Sequence, residues 1–239
     1  MARRPVPSVA DDFAEVLALL QERRIVPAHP SAELVRVARA IHDNTYSLIL
    51  WRFRLRGLPD HAKVFIEEIA SDALQILPQI MMGYSKTAKL LIRGISENAL
   101  RHIYFSDHPI EFERLNRERK WYLTVEQLLD YAKLHPVIMR TESRFDAVNQ
   151  ISSLYSELSA GVHGRAVRDL EMRIALQKIV YEQAAAATEA NVLRKCTEAT
   201  NFLLAMFHRD RMRAFQAEDR RIILRTMPAR ARQIWTEHE

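Results

Sequence analysis

Apolar residues return every three or four positions along almost the whole chain, the spacing of one face of an α-helix. Residues 8–23 start with Ser8 in an N-cap position and acidic residues in the first turn, both of which suit a helix start. Leu34, Val37, Ile41, Tyr46, Leu48 and Leu55 then mark a long helix from Ala32 to Arg56, ended by Gly57 and Pro59. The next runs from His61 to Met82 with a kink expected at Pro78, and Gly83 closes it. A fourth begins near Ser85 and stops at Asp107-His108-Pro109, because a residue before proline disfavours helical geometry.

A polar, arginine-rich connection is expected next. After it, "LTVEQLLDYAKLHP" forms a short helix with Thr124 and Gln127 in capping-box spacing, ended by Pro136. "DAVNQISSLYSELSAGVHG" is another helix, and residues 167–212 read as one very long helix or two. "EDRRIILRTM" and "PARARQIWTE" finish the chain as short helices, the second with Pro228 at its first position. Strict alternation occurs only in "WRFRLRGL" at 51–58, which sits between helical patterns and reads as a helix end. The expected fold is an all-α, antiparallel multi-helix bundle with an N-terminal helical hairpin and short C-terminal helices. The hairpin (1–58) either extends a bundle of 59–239 or joins it in a single domain spanning 8–237.

Composition reinforces this reading. Five glycines among 239 residues are too few for a chain built on hairpins or phosphate-cradling loops. Cys196 is the only cysteine, so no internal disulfide exists, and it reads as a small helical residue. No apolar run reaches the ~18 residues of a membrane span, and the N-terminal arginines lack an apolar region behind them. A cytoplasmic protein with no membrane partner is expected. A net charge of +5 suits an anionic partner without requiring one. Arginines 209–232, interleaved with Phe207, Phe215 and Trp235, read equally as an RNA-contacting surface or a solvated face. "WRFRLRGLP" is a second basic cluster, read alternatively as arginines reaching out around buried Trp51 and Phe53. The nine histidines are scattered without metal-ligand spacing, and no phosphate-loop or nucleophile-elbow motif occurs. No cofactor or metal is expected.

Two helices carry candidate chemistry. In "LYSELSAGVHGR", Tyr155, Ser159 and His163 share one face with Leu158 and Val162, so a hydroxyl and an imidazole sit on an otherwise apolar stripe. In "RGISENALRHIYF", Arg93, Glu97 and Arg101 follow at i, i+4, i+8, with Asn98 and His102 beside them. Leu91, Ile95, Ala99 and Ile103 form the opposite, core-seeking side. The ionisable stripe is either solvated or turned toward something polar. A histidine ending such a helix reads equally as a hydrogen-bonded core or interface residue.

The pairing of "LLIRGISENALRHIYFSDHPIEF" with a later "LYSELSAGVHGR" resembles the HEPN superfamily of helical proteins, over residues 60–225. That resemblance implies a four-to-five-helix bundle, dimerisation through the His-bearing helix and often metal-independent RNA cleavage, in many cases within phage defence or toxin–antitoxin pairs. His163 would be the base, Arg93 or Arg165 the phosphate-holding cation and Glu97 an orienting group. Tyr155, Ser159, Asn98, Arg101 and Arg165 would line the pocket. This chain departs from the ribonuclease members, which carry an arginine upstream of the histidine. Ser156, Glu157 and Leu158 stand there instead. The resemblance therefore implies an RNA-binding or RNA-cleaving homodimer, and the missing arginine keeps open the same fold acting as a non-catalytic interaction or regulatory module that dimerises or binds a protein partner.

Overall fold

A computed structural model describes residues 8–142, 144–163 and 175–238. These form helices α1 (Val9–Glu22), α2 (Ala32–Arg54), α3 (Asp60–Met81), α4 (Ser85–Asp107), α5 (Pro109–Arg117) and α6 (Val125–Leu134). They continue through α7 (Pro136–Glu142), α8 (Ala147–His163), α9 (Gln183–Phe207), α10 (Arg209–Arg213), α11 (Ala217–Arg225) and α12 (Ala229–His238). No strand occurs among the described residues. The all-α multi-helix reading of the sequence holds.

The caps are chemical. Ser8 and Asp11 close a capping box on α1, Ser31 Oγ accepts from the Leu34 amide, and Thr124 and Gln127 close a second box on α6. Each satisfies amides that the helix itself leaves without partners.

α4 is the hub, packing against α3, α6, α8 and α9. Ala88, Ile92, Ile95, Ala99 and Ile103 recur at helical spacing and are buried completely. One apolar core runs from Phe13 on α1 to Trp235 on α12, so the first two helices share it with the rest. A buried polar network crosses this core. Trp51 Nε1 donates to Asn201 Oδ1, while Asn201 Nδ2 donates to Ser47 Oγ and Thr226 Oγ1. Cys196 is buried on α9 with its Sγ 3.2 Å from Ser96 Oγ, and burial pushes the thiol up to about 11.

Several expectations need correction. The connection after α4 is itself helical: Pro109 presets the first turn of α5. Glu111 lies near that end, Arg114 and Arg117 near the other, and Phe112 packs on Phe65 and Phe105. Pro136 ends α6 but also opens α7, which the sequence reading omitted. Residues 175–182 are not a continuous helix. Only Leu176–Lys178 makes a 3₁₀ turn, and β-branched Ile179 and Val180 lead through non-helical chain into α9. The helix starting at Gln183 breaks at Phe207, so the long C-terminal stretch divides. α12 begins at Ala229, with Pro228 just before it. Phe53 is 56% exposed, which removes it from the buried pair proposed with Trp51.

Gly83 turns the chain between α3 and α4 with φ of 80°, a conformation that costs other residues a Cβ clash. A Cβ there would lie 2.2 Å from the Val180 carbonyl oxygen. The segment leading to α9 therefore lies directly against the α3–α4 corner.

Candidate functional site

The seam between α4 and α8 brings Arg93 onto Tyr155. Arg93 Nη2 donates to the phenol oxygen at 2.6 Å, and its guanidinium carbon lies 4.6 Å from the ring centroid. A planar cation over an aromatic face is attracted by the ring quadrupole, and the hydrogen bond fixes its orientation. One turn along α8, Ser159 is 2% exposed, and its Oγ has no hydrogen-bond partner among the described residues. Leu154 and Leu158 bury the apolar part of the same helix face.

The remaining candidates are distributed differently. Glu97 is held by Arg101 at 2.5 Å, one turn from Arg93 on α4. Asn98 is 7% exposed and His102 fully buried, so both belong to the core side of α4 rather than to its ionisable stripe. His163 is the last residue of α8, two turns or about 12 Å of helix rise beyond Tyr155. Its side chain lies outside what the structure describes, as does Arg165. Arg93 with Tyr155 thus bridges α4 and α8, while Glu97 with Arg101 is a contact within α4 one turn along.

Three features escaped sequence reasoning. The first is Asp72 on α3, whose Oδ2 would stand 2.5 Å from a Cβ placed on Gly94 of α4. Burial, then the Glu68 carboxylate, raises its pKa from 3.8 to about 7. A signal did exist: Asp72 lies between Ile69, Ala73 and Ile76, on the buried side of an amphipathic helix.

The second is a buried histidine pair. His102 Nδ1 lies 2.8 Å from the Ala62 carbonyl, and its Nε2 lies 2.7 Å from His208 Nε2. The carbonyl can only accept, so His102 carries its proton on Nδ1. Its Nε2 must then accept from His208, which leaves His208 Nδ1 unprotonated in the neutral pair. Desolvation depresses both imidazoles, His102 to about 4, and for His208 the neighbouring His102 and Arg211 add to the effect. Their separation in sequence concealed this pairing.

The third lies beside it. Tyr131 donates to Asp107 Oδ2 at 2.6 Å, and His135 Nε2 lies 3.2 Å from the same oxygen. Burial and then the Asp107 bond hold the Tyr131 phenol well above its usual range. His108 stacks on Tyr104 with centroids 4.1 Å apart.

Much of the basic C-terminal stretch is compensated internally. Arg221 pairs with Glu218 and Arg225 with Asp43, while Arg54 of α2 pairs with buried Asp219. Among the described residues no cluster of three histidine, cysteine or acidic side chains stands ready for a metal ion, and no helix is long and apolar enough to cross a membrane. No family model, curated protein or solved structure matches this chain.

Proposed function

We propose that the protein is a HEPN-like, RNA-binding homodimer that cleaves RNA without a metal, with α8 as the business helix. What supports this reading is the docking of Arg93 on Tyr155, one turn from a buried serine hydroxyl, on the helix that His163 closes. The chemistry needs a base for the 2′-hydroxyl proton and a cation for the charge developing on phosphate. His163 takes that proton as the 2′-oxygen attacks phosphorus. The departing 5′-oxygen takes a proton from the imidazole of a second copy, which is why the reading requires a dimer. Arg93 or Arg165 holds the phosphate oxygens through its planar fork. Glu97 orients Arg101, with which it pairs. Phage defence or a toxin–antitoxin pair is the cellular context this reading implies.

A second reading is favoured by the same contacts. Arg93 is engaged by Tyr155 and Glu97 by Arg101, and the family's upstream arginine is absent, so the fold also suits a non-catalytic module that binds a protein partner. Incubating wild type and His163→Ala with structured and single-stranded RNA in EDTA separates the two. Cleavage by wild type only, leaving 2′,3′-cyclic phosphate ends, supports the ribonuclease. Equal activity, or none from either folded protein, leaves the interaction module. Light scattering that finds a monomer at micromolar and higher concentration counts against the catalytic version.

A further inference from the structure

A cavity of about 260 Å³ opens where α7 faces the junction of α9 and α10, away from the α4–α8 seam. Its walls include Arg140, Arg209, Arg211, Asp210, Phe207 and His208. Three guanidiniums against one carboxylate leave the cavity electropositive. That carboxylate is mostly solvated and meets Arg209 only at 3.6 Å and Arg213 at 3.7 Å. Arg140 and Arg211 form no ion pair among the described residues, unlike Arg54, Arg221 and Arg225 of the same surface. Cations left uncompensated around a concavity raise the local concentration of anions, and guanidinium forks match phosphate oxygens geometrically.

His208 gives the cavity a second character. It is 8% exposed, and its Nε2 is committed to His102, which the Ala62 carbonyl fixes in one tautomer. Burial, with His102 and Arg211 beside it, disfavours the charged ring, and a neutral His208 that donates through Nε2 keeps Nδ1 as a hydrogen-bond acceptor. A ligand here meets positive charge from the arginines and a neutral acceptor from the imidazole. The latter accepts from a hydroxyl and offers nothing to a bare anionic oxygen.

We infer that this cavity binds a small phosphorylated sugar, its phosphate held by Arg140, Arg209 and Arg211 and a sugar hydroxyl donating to His208. The volume lies just below the usual range for small-molecule pockets, which suits a pentose phosphate better than a larger cofactor.

Calorimetric titration of the full chain with ribose 5-phosphate, inorganic phosphate and ribose tests the assignment. Ribose 5-phosphate should bind saturably and more tightly than inorganic phosphate, and ribose should give no heat over the same range. Arg140→Gln/Arg211→Gln should weaken ribose 5-phosphate by about tenfold or more, the loss expected from two charge-assisted contacts. Both arginines are exposed, so the melting temperature without ligand should not move. His208→Phe should reduce ribose 5-phosphate to the affinity of inorganic phosphate. If that variant does not fold, the arginine pair still decides. Unchanged affinity in the double variant, binding of ribose alone, or inorganic phosphate equalling the sugar phosphate on wild type each overturn the assignment.

Discussion

Trp51 of α2 and Asn201 of α9 are locked together by a 2.8 Å hydrogen bond in the middle of the core, where both are fully buried. Asn201 is saturated on its other side by Ser47 and Thr226, so one amide ties α2, α9 and the end of α11. A satisfied buried network stabilises because every member has its partner, and a broken one costs because several lose theirs together.

Asn201→Leu should therefore destabilise by about 3 kcal/mol, chiefly by stranding the Trp51 indole N–H. Urea unfolding followed by tryptophan fluorescence measures it. A loss below about 1 kcal/mol, the worth of a single ordinary hydrogen bond, would mean that the network is not coupled.

The histidine pair predicts acid sensitivity. Because the folded value of His102 lies near 4 and the unfolded one near 6.5, the unfolded chain binds the proton first as pH falls. Stability is then full above pH 6.5 and drains away toward pH 4, by on the order of 3 kcal/mol for this one buried ring. Melting temperatures between pH 7 and pH 4.5 should show the decline, and His102→Gln should flatten it. A slope identical in the variant would exclude His102 as its source.

Asp72 works with the opposite sign. Its folded carboxyl holds a proton up to about pH 7, whereas the unfolded one releases it near 3.8, so this group removes stability as pH rises between those values. Asp72→Asn should melt higher than wild type at pH 8 and show little difference at pH 4. Gly94→Ala should destabilise, since the new methyl meets Asp72 Oδ2, and less so in an Asp72→Ala background. Additive losses in that cycle would show that the carboxylate is not what confines Gly94.

Gly83→Ala combines two penalties. The left-handed backbone costs a non-glycine residue about 1–2 kcal/mol by itself, and the methyl would collide with the Val180 backbone, which cannot turn aside as a side chain can. Thermal unfolding should register a loss larger than the backbone term alone. Gly57→Ala, where a Cβ meets nothing within 4 Å, is the control expected to change little.

Helical periodicity and capping chemistry were legible from residues alone: Ser8, Thr124 with Gln127, and the stops at Gly83 and Asp107 all stand where the pattern put them. Pro109 and Pro136 each stop one helix and start another, and at these two positions the linear pattern shows only the stop. The candidate stripe on α4 mixed two faces. Arg93 reaches across to Tyr155 and Glu97 pairs with Arg101 along α4, while Asn98 is buried and His102 turns inward to the Ala62 carbonyl and His208. Pairings such as His102 with His208, or Asp72 with Gly94, depend on how helices cross, and periodicity carries no information about crossing.

Cys196 gives this protein a built-in clock for unfolding. With its thiol sealed under α4 and held at about 11, an alkylating reagent reaches it only when the bundle opens. The rate of modification in the native state then tracks how much of the open form is populated, with one addition per molecule and no competing thiol in the sequence. The same silence makes the natural chain a ready background for single cysteines placed by design. A probe on α8 or on α7 would label there alone and report separately on the two sites.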